Sequence, residues 1–531
     1  VSTQLLLGGR IYSPTAPDAT AMAVTDGVVT WTGEDRTGRA LHPGAEEIDL
    51  AGAFVAPAFV DSHVHTTALG LSVVGLDLTE AVSRADCLDR IRRFVERTSD
   101  DVVWGQGWDD SAWSDGGALT TADLDAIAPG RNVYLSRIDA HSAACSTPLR
   151  AASGITSSQL GFHPQQPVTA DAHHAVRSTA RALIGPPLRA RARLAALNLY
   201  AAQGVCAVHE CAGPDISGST DFAELSATEH GVEVRGYWGE LATSAEHARD
   251  LLSSTGAAAL GGDLFVDGSI GSHTAWLTEP YADHAGTGIA FQDVESITAH
   301  LSACTEAGIQ AGFHAIGDGA VAAVTSALLR TAEVFGGPAV AALGHRIEHL
   351  EMVSDAQADV LASLGVIASM QPAFDGLWGG DDALYASRLG VDRARALNPF
   401  ASLASKGVSL AFGSDAPVTT VDPWGVLRCA VGHRTPGSAV SPRAAFSAAT
   451  RGAWRAGGVR DGLAGTLLPG APASYAVWDA DELVVRAPAD SVARWSTDPR
   501  AGVPPLPALD PLSPSPRCLR TVHRGRVIHE A

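Results

Sequence analysis

Two histidines, His63 and His65, close the apolar run Ala58-Phe59-Val60-Asp61-Ser62 with a single valine between them. In a β-strand, residues i and i+2 point to the same face, so both imidazoles aim into one space and can chelate one metal ion. An HxH pair is weak by itself, because strand histidines are often surface or packing groups. Further ligand types end later apolar runs, however. His314 stands in Phe313-His314-Ala315-Ile316-Gly317-Asp318, His349 in Arg346-Ile347-Glu348-His349, and Asp415 in Gly413-Ser414-Asp415-Ala416-Pro417. Imidazole and carboxylate ligands without cysteine suit Zn²⁺, with Fe²⁺ or Mn²⁺ as alternatives.

The elements that must position these residues alternate between short apolar strands and alanine-rich helical stretches, the pattern of a parallel sheet or an α/β barrel. Eight strands are predicted: Ala58–His65, Gly204–Cys211, Val234–Glu240, Asp263–Gly268, Ile309–Gly317, Arg346–Glu351, Val366–Gln371 and Ser409–Asp415. Eight strands close such a barrel, and the polar residues fall at their C-terminal ends, where barrel active sites lie. Residues 68–195 do not fit the spacing and read as an insertion after the first strand that caps the barrel mouth. Strand-like segments with an Asp26-Gly27 hairpin signal open the chain, and similar texture returns at its end. Residues 1–57 and 463–531 are therefore expected to build one small β domain, with the barrel over 58–462. Pro504–Pro516 reads as an irregular crossing.

In combination these phrases resemble the metal-dependent amidohydrolase superfamily. Phe265-Val266-Asp267-Gly268-Ser269-Ile270-Gly271-Ser272, Ser369-Met370-Gln371-Pro372, Gly107-Trp108-Asp109 and Val60-Asp61-Ser62-His63-Val64-His65 are similar to its family 3 branch, which includes N-substituted formamide deformylases. The resemblance runs over nearly the whole chain. It implies a (β/α)₈ TIM-type barrel with a β-sandwich made from both termini. It also implies that His63 and His65 bind one metal, that His314 and His349 bind a second or shared position, and that Asp415 sits beside the metal-bound water. A cation lowers the pKa of bound water towards about 7 and polarises a carbonyl. Asp415 would then act as general base as hydroxide attacks an amide carbon, and return the proton to the leaving nitrogen.

Relatives usually carry a lysine about four residues before the Asp-Gly of the fourth strand, where it is carboxylated and bridges two metals. Here Asp263 stands at that position, and the chain's single lysine, Lys406, lies in the helix before strand eight. One tightly held metal, or a pair bridged by another carboxylate, is the expectation, with Asp263 itself as a ligand. Glu210 and Cys211 at the end of strand two are further candidates, Cys211 more readily as a packing residue. Trp108, Asp109, Asp139 and His141 in the insertion could line the substrate pocket or serve as core and loop caps. Asp267, Ser269 and His273 are expected to orient substrate or support the ligands. Relatives often have arginine where His273 and Gly319 stand and histidine where Phe374 stands, so no specific substrate transfers. His173-His174 reads as a solvated helix face.

A net charge of −21 over 531 residues argues against nucleic acid or an anionic membrane as partner. The first ten residues lack the basic start and apolar stretch of a secretory leader, and no apolar run reaches the ~18 residues of a membrane span. Seven cysteines, odd in number and without CxxC pairs, point to a reduced cytoplasmic setting. A homodimer is compatible with the sequence. The expected function is metal-dependent hydrolysis of a non-peptide C–N bond in a small molecule, such as an N-formyl or N-acyl amide. An esterase or lactonase using the same site and a non-catalytic ligand-binding barrel are the alternatives.

Overall fold

The computed structural model describes residues 2–110, 113–114, 117–137, 142–214, 216–480, 482–485, 504–511 and 513–531. It divides into two compact units, Thr66–Leu197 and the remainder, Val1–His65 with Asn198–Ala531.

The larger unit is built on eight short parallel strands in two runs of four. β1 (Phe59–Val64), β2 (Val205–Ala212), β3 (Glu233–Trp238) and β4 (Ala259–Leu260) pair in sequence, as do β5 (Gly312–Ala315), β6 (Arg346–His349), β7 (Ile367–Met370) and β8 (Ser409–Phe412). Isolated parallel bridges join the edges of the two runs, Val64 with Ala416 beyond β8 and Leu260 with Ala311 before β5. Most strands are buried on both faces, so they read as continuous apolar runs rather than alternating ones. Helices follow them, among them Ala245–Thr255 after β3, Val294–Ala307 after β4 and Asp318–Phe335 after β5. Val294–Ala307 begins where the Asp293 carboxylate accepts from Ser296 N and ends at Gly308 in the left-handed region, the capping that its sequence calls for.

The fourth strand is not where the sequence predicts it. Strand pairing stops at Leu260, and Asp263–Gly268 runs as irregular chain with one bridge, Phe265 to His314. Gly261 explains the break. Its backbone passes so close to Gly312 that a Cβ would lie 2.4 Å from the Gly312 nitrogen, and the chain turns there.

The two ends of the chain supply two further sheets of this unit. One orders Val28–Gly33, Ala21–Thr25, Thr3–Leu7 and Glu46–Asp49. The other orders Arg10–Ile11, Phe54–Pro57, Tyr475–Asp479, Arg517–His523 and Arg526–Glu530. Leu6, Met22 and Val24 of the first share one buried cluster with Val55, Tyr475, Val477 and Val522 of the second. Within the proline-rich segment, Leu506–Pro507 forms a short strand against Leu483–Val484, so that stretch is not wholly irregular.

The smaller unit holds a five-stranded sheet ordered Val168–Thr169, Ser142–Cys145, Asn132–Arg137, Val102–Trp108, Leu76–Asp77. His173, read from the sequence as solvated, is buried in this unit's core. It shares a face of helix Ala170–Ala182 with Ala172, Val176 and Ala180, and its Nε2 lies 2.9 Å from the Tyr134 hydroxyl. His174, one position on, is exposed.

Two buried histidines tie the larger unit's helices to its strands. His300 Nδ1 accepts from Ala242 N at 2.9 Å, and His345 Nδ1 accepts from Ala311 N at 2.9 Å while its Nε2 meets the Thr305 hydroxyl at 3.2 Å. Burial holds His300 down at about 4, and burial with His300 and Arg460 nearby holds His345 down at about 3. An unfolded histidine titrates near ~6.5, so below that pH the unfolded chain binds protons that the folded one refuses. These two histidines therefore subtract stability as pH falls from about 6.5 towards 4, by roughly 2 kcal/mol each at pH 5. Asp61 and His65, whose pKa values are raised, act in the opposite sense, so the histidine contribution is read as a difference: in urea unfolding of the metal-free protein, wild type should lose about 2 kcal/mol more than His345→Gln between pH 7 and pH 5.

Candidate metal centre

His63 and His65 project from the C-terminal end of β1. Asp415 follows β8 with φ 56°, and its N–H donates to His63 O at 2.8 Å, while His65 N donates to Ala416 O at 2.9 Å. Asp61 on β1 completes the lock by accepting from Ser414 N at 2.8 Å and Ser414 Oγ at 2.6 Å. Burial, offset by those bonds, raises its carboxyl to about 6. His349 ends β6 with φ 70°, a conformation costly for a side-chain-bearing residue and concentrated at functional sites. In a regular strand Arg346 and Glu348 would share one face and His349 the other; the left-handed turn brings His349 round to join His63.

The side chains converge on Asp263. His63 Nε2 lies 3.3 Å from Asp263 Oδ1 and 3.5 Å from Asp415 Oδ1. His65 Nε2 lies 3.1 Å from Asp263 Oδ2 and 3.3 Å from Asp415 Oδ1, and His349 Nε2 lies 3.7 Å from Asp263 Oδ1. Burial would depress His65, yet Asp263 and Asp415 raise it to about 10. Burial would likewise raise Asp263, yet His63, His349 and His65 hold it well below the carboxylate range. The pocket thus favours added positive charge, supplied by protons or by a cation.

A cation fits better. His63 Nε2, Asp263 Oδ1 and Asp415 Oδ1 are all buried and make no hydrogen bond, although unpartnered buried polar atoms are costly and rare. His63, His65 and Asp415 form one group of mutually close ligand atoms, and His63, Asp263 and His349 form another. The donor set, nitrogen and carboxylate oxygen, is one that divalent transition metals accept.

The other sides of these imidazoles are held. His63 Nδ1 lies 3.0 Å from Glu348 Oε2, and His349 Nδ1 lies 2.8 Å from Gln371 Oε1. Arg346 grips Glu348 through Nε to Oε1 at 2.9 Å and Nη2 to Oε2 at 2.8 Å, and also donates to Ser62 O, Ser369 Oγ and His209 Nδ1. Its guanidinium carbon sits 4.3 Å from the Tyr237 ring centre. Burial would raise Glu348, but Arg346 and His63 bring it down to about 2. Sequence reasoning missed these supports. The available signal was the i, i+2 pairing of Arg346 and Glu348 on one strand, which places opposite charges on one buried face.

The other expected site residues have the following surroundings. His314 packs against His349, ring centres 4.4 Å apart, but belongs to neither ligand group. Its Nδ1 instead faces Asp267 Oδ1 at 3.4 Å without a hydrogen bond. Asp267 is fully buried and accepts from Ile316 N, Gly317 N and Trp276 N, so it clamps loops and is not open to a substrate. Ser269 bonds Ser272 on an exposed turn, and His273 Nε2 pairs with Asp283 at 2.9 Å. Trp108 is buried in the smaller unit's core with Nε1 donating to Leu135 O, and Asp109 pairs with Arg137. Asp139 and His141 lie outside the described residues. Cys211 is buried, with its sulfur close to His63 and Glu348, and Glu210 is buried beside it in sequence. Lys406 pairs with Asp359 and takes no part in the centre.

If the ligand assignment is right, replacing His63 and His65 together with alanine should reduce bound divalent metal from near stoichiometric to background, measured by elemental analysis of the purified protein.

A sequence model of the amidohydrolase family matches residues 46–529. The YtcJ protein of Bacillus subtilis (strain 168) is 28% identical over 452 residues, covering 80% of this chain and 82% of its own. LONG AFTER FAR-RED 3 of Arabidopsis thaliana is 28% identical over 464 residues, covering 81% and 78% respectively. A crystal structure of an uncharacterized metal-dependent hydrolase from Pyrococcus furiosus superposes with a TM-score of 0.74 at 26% identity, covering 90% of this chain and 99% of that one.

Proposed function

The chain belongs to the amidohydrolase family, and from that premise we propose that it hydrolyses a non-peptide C–N bond in a small molecule, an N-formyl or N-acyl amide, with one divalent cation, Zn²⁺ by preference. That it is a hydrolytic enzyme follows from its family. The observation that carries the finer reading is the set of unpartnered buried atoms His63 Nε2, Asp263 Oδ1 and Asp415 Oδ1 facing one another. His63, His65, Asp263, His349 and Asp415 would hold the cation. When bound, such an ion lowers the pKa of a water molecule and withdraws electron density from a substrate carbonyl.

The protein's own groups do the rest. Asp415 is placed to accept the proton of the attacking water, because its backbone is fixed to β1 through His63 O while its Oδ1 is left without a hydrogen bond. As the water oxygen adds to the carbonyl carbon and the C–N bond breaks, the proton passes from Asp415 to the leaving nitrogen, so that acid and amine are the products. Burial of the surrounding ligands excludes bulk water and strengthens each of these electrostatic contacts.

The proposed scaffold is a closed (β/α)₈ barrel, supported by the bridges that join both edges of the strand runs, with a terminal β-sandwich supported by the shared apolar cluster. A cytoplasmic setting is proposed on the seven free thiols, six of them buried. No helix of the described residues is long and apolar enough to cross a membrane.

Asp415→Asn should lower kcat about 10²–10⁴-fold on whichever member of a panel of formamides and acylated amines is turned over. Metal content is to be measured on the same preparations. A well-metallated Asn variant with unchanged turnover would refute the assignment of Asp415.

A further inference from the structure

We propose that Glu348, clamped by Arg346, is the positioning residue that presents His63 Nε2 to the metal centre and so sets how tightly the centre holds its cation. This rests on the reading of the His63–Asp263–Asp415 cluster as a metal site.

His63 is the one residue common to every group of mutually close ligand atoms among the described residues. A neutral imidazole can offer a lone pair at Nε2 only if its proton is on Nδ1. Glu348 Oε2, 3.0 Å from Nδ1, accepts that proton's hydrogen bond and thereby selects the tautomer. The carboxylate cannot swing away. Both of its oxygens are held by Arg346, and Arg346 is itself fixed by Ser62 O, Ser369 Oγ, His209 Nδ1 and the face of Tyr237. Arg346, Glu348 and His63 side chains have no measurable exposure, so bulk solvent does not compete for these bonds.

The second imidazole supplies an internal comparison. His349 Nδ1 is held by Gln371, a neutral amide, at 2.8 Å. A hydrogen bond to an ionised acceptor is roughly twice as strong as one to a neutral acceptor, and it makes the imidazole a better donor to the metal. The structure therefore assigns His63 as the firmly oriented ligand and His349 as the softer one.

The test is chelator competition for Zn²⁺ on the full chain, comparing wild type with Glu348→Gln, with the pair Arg346→Met/Glu348→Gln, and with Gln371→Met. The paired variant is needed because Glu348→Gln alone leaves a buried guanidinium without its counter-charge. Both Glu348 variants should bind Zn²⁺ about 10–100-fold more weakly, and Gln371→Met should lose less. Thermal unfolding of the metal-free proteins serves as the control for folding. If the paired variant unfolds like wild type and keeps Zn²⁺ within twofold, the proposal is overturned although the hydrolase reading stands. If wild type binds no Zn²⁺, both are overturned. A spectroscopic arm needs no variant: cobalt-loaded wild type should show a paramagnetically shifted His63 Nδ1–H proton resonance that persists for a long time after transfer to D₂O. Absence of any such slowly exchanging resonance would count against Glu348 as its partner.

Discussion

Arg346 and Glu348 place a full positive and a full negative charge side by side within the parallel strands, with no exposed side-chain surface on either. Moving such groups out of water costs several kcal/mol each, and the cost is offset only when every donor and acceptor is answered. Here the answers come from four strands. Ser62 on β1, His209 on β2, Tyr237 on β3 and Ser369 on β7 surround the β6 pair. The ion pair therefore makes these strands mutually dependent, and it passes that constraint to the metal centre through His63.

Around that fixed interior, the ends of the strands are joined by backbone bonds rather than by side-chain packing alone. Asp61 ties β1 to the turn after β8, and the residues of that turn exchange hydrogen bonds with His63 and His65. Asp267 does the same on the other side, collecting three backbone N–H groups from the segments around β5. Both carboxylates are structural, although they lie within a few residues of the chemistry. This distinguishes Asp61 and Asp267 from Asp263 and Asp415, whose Oδ1 atoms make no hydrogen bond.

Much of the centre was legible beforehand. His63, His65, His349 and Asp415 could be picked out as ligand types ending apolar runs, and the absence of any lysine other than Lys406 directed attention to Asp263, which the structure places among them. Where the reading failed, it failed for want of three-dimensional partners. The break at Gly261 depends on how close Gly312 comes. His173 looks solvated until the Tyr134 hydroxyl is placed beside it.

By itself the sequence determined the alternation of strands and helices, the ligand types and the strand ends at which they fall, because these depend on local periodicity and residue chemistry. It also showed that Asp263 stands at the fourth-strand position and that the single lysine, Lys406, falls in the helix before the eighth strand. Only the tertiary structure decided which ligands meet, that His349 turns in through a left-handed backbone while His314 faces Asp267, and that Arg346 and Glu348 orient His63. Those outcomes depend on contacts between residues tens to hundreds of positions apart, which no local pattern encodes.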